Sequence, residues 1–248
     1  MVIRIANVFE GLHHSSIPSD EGLKAHFPLN SDTESSVQVR AWHNDELALP
    51  AEGTHFGFVW RGMAYVMRDR SLATFPLSEG MYFSASEAVT LSGHDTSGIV
   101  ITDLRHQGRF QIGGPLELEG RFAYIDGGMT SLLIAPMAFG DPVLNALYMP
   151  PNVDQTVHCH PSDRIGIIIK GTGECCERDE CRSLTPGTLF HIPAHQEHKF
   201  VTYGQGLDLV VFHPDSDMGF SDRNHPMLSR TLVNNVRATD LPDIQTSR

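Results

Sequence analysis

His158 and His160 flank Cys159, and a third histidine, His198, follows after Gly187 and Pro193. Side chains alternate along a strand, so an H-x-H places both imidazoles on one side and turns Cys159 to the other. If the hairpin that ends at His198 folds back inside a barrel, three imidazoles converge. Neutral imidazoles suit Fe, Zn, Ni, Cu or Mn. One H-x-H is weak evidence, since most histidines are structural. Its combination with Gly187, Pro193 and His198 is more specific. Residues 158–198 therefore read as the metal-binding half of a small β-barrel, with His158, His160 and His198 as ligands.

Half of the 14 histidines lie between 158 and 225. His191 and His195 sit on the hairpin leading to His198, where either is a second-shell donor, a general acid/base or a solvated side chain. His213 ends a strand and faces either inward or solvent. Tyr148, Ile168 and Phe200 are candidates for a pocket wall or for plain core packing.

The elements that must position these groups are short strands. FGFVWRG (56–62), MAYVMRD (63–69), RFAYIDGG (121–128), TSLLIAP (130–136), RIGIIIKG (164–171) and LDLVVFHP (207–214) are rich in β-branched and aromatic residues and end at turn formers. Helical periodicity is weak, with short helices conceivable at 16–28 and 215–235. The expected class is all-β, sandwich or barrel. An internal repeat divides the chain: Arg61-Gly62 recurs as Lys170-Gly171 and Gly80 as Gly187, shifts of 109 and 107 residues. Two related units explain this, with a boundary near 110–120. The alternative is two hairpins that share turn chemistry.

The 248 residues carry a formal net charge of −12, with 40% hydrophobic residues. That is enough apolar material for a sizeable core, and the charge disfavours nucleic acid as a partner. No apolar run reaches the roughly 18 residues of a membrane helix, and the N-terminus lacks a secretory pattern. The four cysteines are Cys159, Cys175, Cys176 and Cys181. Free cytoplasmic thiols are the default expectation, although Cys176 and Cys181 flank a turn and could face each other.

The two halves of this pattern resemble the cupin superfamily. Its first motif, H-x-H-x(3–4)-E-x(6)-G, stands here as His158-Cys159-His160-Pro161-Ser162-Asp163-Arg164 running on to Gly171. Its second, G-x(5)-P-x-G-x(2)-H, stands as Gly187, Pro193, His195 in the place of glycine, and His198. The resemblance covers both halves and implies a bicupin: two jelly-roll-like β-barrels, residues 1–115 a degenerate N-terminal one and 116–248 the metal-binding one with a C-terminal tail.

Two departures shape the chemistry. Arg164 stands where the family has its glutamate ligand, and a guanidinium does not ligate. A three-histidine set remains, as in cupin-like oxygenases acting on thiols, β-diketones and gentisate. In the first half the positions matching His158, His160 and His198 are Leu49, Ala51 and Leu91, and His55 matches Arg164. That half is expected to hold no metal and to support its partner or a dimer interface.

Arg164 facing the ion would create a strongly cationic site. At about 5 Å and an effective dielectric near 20, unit charges repel by about 3 kcal/mol, and a divalent ion doubles this. Such a site invites an anion held by two parallel hydrogen bonds. The other readings are Arg164 turned outward onto Asp163 or Glu174, or a dead site.

The resemblance thus implies an Fe(II)-type dioxygenase, with Zn, Mn or Ni as alternative ions. It would act on a small anionic or carbonyl-containing substrate, with Arg164 and His195 in catalytic roles. A bicupin isomerase or lyase, or a non-catalytic small-molecule binder, are the alternatives. The chain is expected to be cytoplasmic, with a homodimer as one arrangement and neither nucleic acid nor membrane as partner.

Overall fold

The computed structural model describes residues 3–7, 9, 36–69, 73–215, 232–237 and 240–241. The segment 16–28 lies outside them. Of 215–235, the described residues are Asp215 and 232–235, the latter in a small hairpin that pairs β16 (Leu232–Val233) with β17 (Val236–Arg237). Among the described residues there is no α-helix, which bears out the all-β expectation. No helix among them is long and apolar enough to cross a membrane.

The strands form two main sheets, neither closed on itself. The N-terminal sheet has seven strands: β2 (Val37–His43), β3 (Leu47–Leu49), β4 (Thr54–Arg68), β5 (Thr74–Ser78), β6 (Tyr82–Ala85), β7 (Val89–Asp103) and β8 (Gln111–Gly113). The C-terminal sheet has eight. They are β9 (Phe122–Ala123), β10 (Met129–Ile134), β11 (Val143–Met149), β12 (Arg164–Glu177), β13 (Glu180–Leu184), β14 (Thr188–Ile192) and β15 (Lys199–His213), joined by β1 (Arg4–Asn7) from the other end of the chain.

The sequence repeat extends into the pairing. In the first half β4 pairs with β5, β6 and β7; in the second β12 pairs with β13, β14 and β15. Gly62 and Gly171 hold the same left-handed backbone, φ 76 and φ 78. A Cβ at Gly171 would lie 1.8 Å from the Gly206 carbonyl oxygen.

Alternation sorts the strand residues into three cores. On one face of the long strands, Phe56, Phe58 and Ile101 of the first half pack with Ile165, Ile167 and Phe212 of the second. The Phe56 and Phe212 rings lie 5.0 Å apart. The opposite faces enclose separate clusters: Val59, Leu77, Phe83 and Val100 in the N-terminal sheet, and Ile168, Phe190, Leu209 and Val211 in the C-terminal sheet. The sheets therefore dock through one apolar layer, and each keeps its own interior.

The cysteine expectation needs correction. Cys176 and Cys181 are register partners across the β12–β13 hairpin, with Cα atoms 4.0 Å apart, and they form a disulfide. Cys159, exposed, and Cys175, buried, are the free thiols. Burial pushes the Cys175 thiol up to about 12.

His55 is fully buried in the first half. Its Nε2 lies 2.7 Å from the Pro50 carbonyl and its Nδ1 2.8 Å from Thr102 Oγ1. A carbonyl only accepts, so Nε2 carries the proton and Nδ1 accepts from the threonine hydroxyl. Burial lowers the pKa of this imidazole, against the Pro50 carbonyl, which favours the charged form.

Two predictions follow the backbone and the buried histidine. G171A combines a left-handed φ with a backbone collision and should cost about 2 kcal/mol or more in urea unfolding. G204A, with nothing within 4 Å of its Cβ, should change stability by less than about 1 kcal/mol. His55 in the unfolded chain titrates near about 6.5, above its folded value, so the unfolded state binds more protons. Its contribution is therefore fully present above that pH and is lost as the pH falls below it. Unfolding free energies at about pH 7.5 and about pH 5 should differ less in H55Q than in the parent.

Candidate metal centre

His158, His160 and His198 meet. Their ring centroids are 4.9, 4.5 and 5.1 Å apart, and their ligand atoms all lie within 4.8 Å of one another. The segment carrying the first two is not the expected strand. His158 makes an isolated bridge to His198, with its N–H donating to the His198 carbonyl at 3.0 Å and the reverse bond at 2.9 Å. His198 lies just before β15, and Cys159 is exposed, away from the group.

Hydrogen bonds fix the tautomers. His158 Nδ1 lies 2.7 Å from the Thr156 carbonyl, and His198 Nδ1 lies 2.9 Å from the Gln196 carbonyl. Each Nδ1 must therefore carry the proton, which leaves both Nε2 lone pairs for an ion. An outer N–H held by a backbone carbonyl is the usual second shell of a metal-bound histidine. Burial, then the charges of Arg164, His198 and His158, push His160 down to about 3. Burial pushes His198 down to about 4, with the charges of His158 and Arg164 adding to it and the Gln196 carbonyl opposing. The donor set thus fits a divalent ion, since neutral nitrogen is what coordination requires.

Arg164 opens β12 with the parity of Ile168, on the interior face of its sheet. Its Nη1 donates to the Ser162 carbonyl and hydroxyl, both at 2.9 Å, and to the Asp163 carbonyl at 3.1 Å. Its charge acts on His160, His198 and His213 alike. The neighbouring acid serves another purpose. Asp163 Oδ2 takes His191 Nε2 at 3.0 Å and Oδ1 accepts the Ala194 N–H at 2.8 Å. These bonds, with the Arg164 charge, outweigh burial and lower the Asp163 pKa. Glu174 instead accepts from the Tyr203 hydroxyl at 2.6 Å.

The remaining candidates divide. His191 is buried with the parity of Leu189, facing the layer between the sheets, away from the three histidines. The His195 imidazole is exposed and outside the group; its backbone N–H holds the His160 carbonyl at 2.7 Å. His195 has φ 60, the left-handed backbone that explains a glycine at that place in the motif. Phe200 sits against His198, with rings 5.9 Å apart, and shares the interior cluster with Ile168. Tyr148 belongs to the layer between the sheets.

His213 shares the interior parity of Leu209 and Val211. Burial, with the charges of Arg164 and His160, pushes it well below its ordinary value. Asn145, the register partner of Val211, gave no sequence signal. Its Nδ2 donates to Thr130 Oγ1 at 2.9 Å, and that hydroxyl donates to the Ala146 carbonyl at 2.8 Å. The amide orientation is therefore set, and Asn145 Oδ1 is a buried acceptor without a partner among the described residues.

The first half has filled two of the three ligand positions with packing, and the third, Ala51, is exposed. Leu49 and Leu91, which match His158 and His198, belong to the N-terminal core. His55, which matches Arg164, is a satisfied buried histidine.

Comparison with known proteins bears on the fold. Residues 147–213 match the family described as Cupin domain. Among solved structures, protein Ylba from E. coli is 16% identical, with 88% of this chain and 93% of that chain covered and a TM-score of 0.60. A putative glyoxylate induced protein from Pseudomonas aeruginosa is 11% identical over 79% and 80%, with a TM-score of 0.59. A salicylate 1,2-dioxygenase variant from Pseudoaminobacter salicylatoxidans, in complex with gentisate, is 11% identical over 72% and 68%, with a TM-score of 0.53. No curated protein matches by sequence. Likeness at these identities shows the fold alone: residues 147–213 match a cupin domain, and the chain around them shares an all-β, cupin-like fold.

Proposed function

We propose that the chain is a metal-dependent enzyme of bicupin type, in which His158, His160 and His198 hold one divalent ion. Fe(II) is favoured over Zn, Mn or Ni. The substrate is a small organic acid or enolisable carbonyl compound. The observation that carries this reading is the pair of Nδ1–H bonds from His158 and His198 to backbone carbonyls, which leaves two Nε2 lone pairs in a group whose ligand atoms lie within 4.8 Å of one another. When bound, the ion supplies Lewis acidity and, for oxidative chemistry, a site for O₂.

The chain's own groups define the rest. With no carboxylate among the three candidate ligands, the centre stays strongly positive and favours an anion. Arg164 supplies directed donors to that anion. Burial raises the pKa of Tyr124, against the Arg164 charge, so the phenol keeps its proton and remains a donor. His213 stays neutral at pH 7, and Asn145 Oδ1 offers an acceptor for a substrate O–H or N–H. Three neutral ligands favour a dioxygenase over an isomerase. The first half, divided at 115/116, acts in this reading as a metal-free support, in a cytoplasmic protein that pairs with a second copy.

Metal analysis of purified protein should find about one divalent ion per chain, and H158A should lose most of it. Unchanged metal content in H158A would sink the ligand assignment. Oxygen uptake with a panel of diketones, catechols and hydroxy acids separates an oxygenase from an isomerase or a binder. For any acid that is turned over, R164M should raise KM by about tenfold or more, as expected for loss of a charge-assisted anchor. An unchanged KM would remove Arg164 from substrate binding.

A further inference from the structure

The segment that carries His158 runs beside residues 195–203 through scattered backbone bonds, among them Gln155 N–H to the Phe200 carbonyl, rather than through a continuous ladder. Residues 156–160 belong to no named strand, Thr156 and Val157 are exposed, and His158 joins the sheet through its isolated bridge to His198. The direction of its imidazole depends on the Thr156 carbonyl, which accepts the Nδ1–H at 2.7 Å. What holds Thr156 comes from 30 residues upstream. Asp126 Oδ2 accepts the Thr156 N–H at 2.8 Å, and Oδ1 accepts the Thr156 hydroxyl at 3.0 Å. Both carboxylate oxygens are thus committed to one residue, through one backbone and one side-chain donor.

Asp126 sits in a 3₁₀ turn, Ile125–Gly127, with φ 55 and ψ 33. Tyr124 N–H donates to the Gly128 carbonyl at 2.8 Å and Gly128 N–H to the Ile125 carbonyl at 3.1 Å, which closes the turn. A left-handed aspartate costs on the order of 1 kcal/mol unless its surroundings compensate. The grip on Thr156 is such a compensation. The same turn carries Tyr124, whose hydroxyl lies within the field of Arg164.

We infer that Asp126 is a positioning residue for the metal centre: its carboxylate fixes the Thr156 peptide, whose carbonyl orients His158, so the 124–128 turn and the ligand act as one unit. This rests on the three-histidine reading above. Outer-shell partners of metal-bound histidines change affinity by about 10–100-fold. Asp126 acts through an intervening residue and is exposed, so the low end applies.

The test titrates Co(II) into metal-free protein and follows visible absorption, alongside melting of the metal-free forms. D126G removes the carboxylate while keeping a residue at ease with left-handed backbone. It should weaken Co(II) about tenfold with little change in melting temperature. D126N keeps an acceptor for the Thr156 N–H and tolerates the same backbone, so it should stay within about threefold of the parent. In an H158A background D126G should add no further loss, because the route runs through that imidazole. D126G binding Co(II) like the parent, or weakening H158A by the same factor, overturns the inference. A parent that binds no Co(II) removes the three-histidine reading and this inference with it.

Discussion

The reciprocal backbone bonds between His158 and His198 are the constraint on which the centre depends. They join two segments 40 residues apart at a single register, so that side chains leaving neighbouring backbones must share one space. The long β12–β15 ladder sets where that register falls. Cys176 pairs with Lys199, immediately after His198, while Ile165 pairs with Phe212 at the other end. The ladder therefore carries Arg164 and His213 side by side, and its register breaks after Ile168 and Gly171 come where the sheet must bend. Bringing both ends of one ladder to one interior is what lets an arginine on β12 lower the pKa of a histidine that precedes β15.

Alternation decides which face each side chain serves, and here both faces are buried. Ile165 and Phe212 meet the other half, while Ile168 and Val211 fill the interior. A one-residue slip would move Arg164 into the apolar layer, where an uncompensated guanidinium is very costly. The docking of the two halves thus enforces the register that the site requires. The first half contributes to the centre in this way without a ligand of its own, and β1, an edge strand, pairs with β14, which precedes the His195 turn.

Features set by local pattern were legible in the sequence. The H-x-H spacing, the glycines at matching positive φ and the alternating runs of β4, β12 and β15 each depend on a few adjacent residues. The convergence of His158, His160 and His198 was expected from strand parity and one hairpin; they do meet, but on an irregular segment joined by an isolated bridge rather than on a strand. Long-range contacts were not legible. The Cys176–Cys181 disulfide depends on hairpin register, which a turn-flanking pair suggests but does not fix. The Asp126 grip on Thr156 and the buried Asn145 acceptor join strands and turns whose pairing no local pattern encodes. His195 was singled out by its place beside His198; the structure gives it a left-handed backbone and an exposed position outside the three-histidine group.

The two halves show what the same architecture does with and without a site. In the second, polar groups occupy the interior end of the long ladder: three imidazoles, a guanidinium, and an amide oxygen with no partner among the described residues. Such groups lose hydration on burial and are costly unless something restores their interactions. In the first half the corresponding positions hold Leu49 and Leu91 in a continuous apolar cluster, and His55 has both ring nitrogens satisfied. That half carries no comparable unmet demand at these positions. The first half has buried groups of its own without partners among the described residues, Arg40 Nη1 and Trp42 Nε1, but neither stands at a matched position. On this argument a ligand that completes the second half should stabilise the whole chain, since the apolar layer makes the folding of the two halves a shared event.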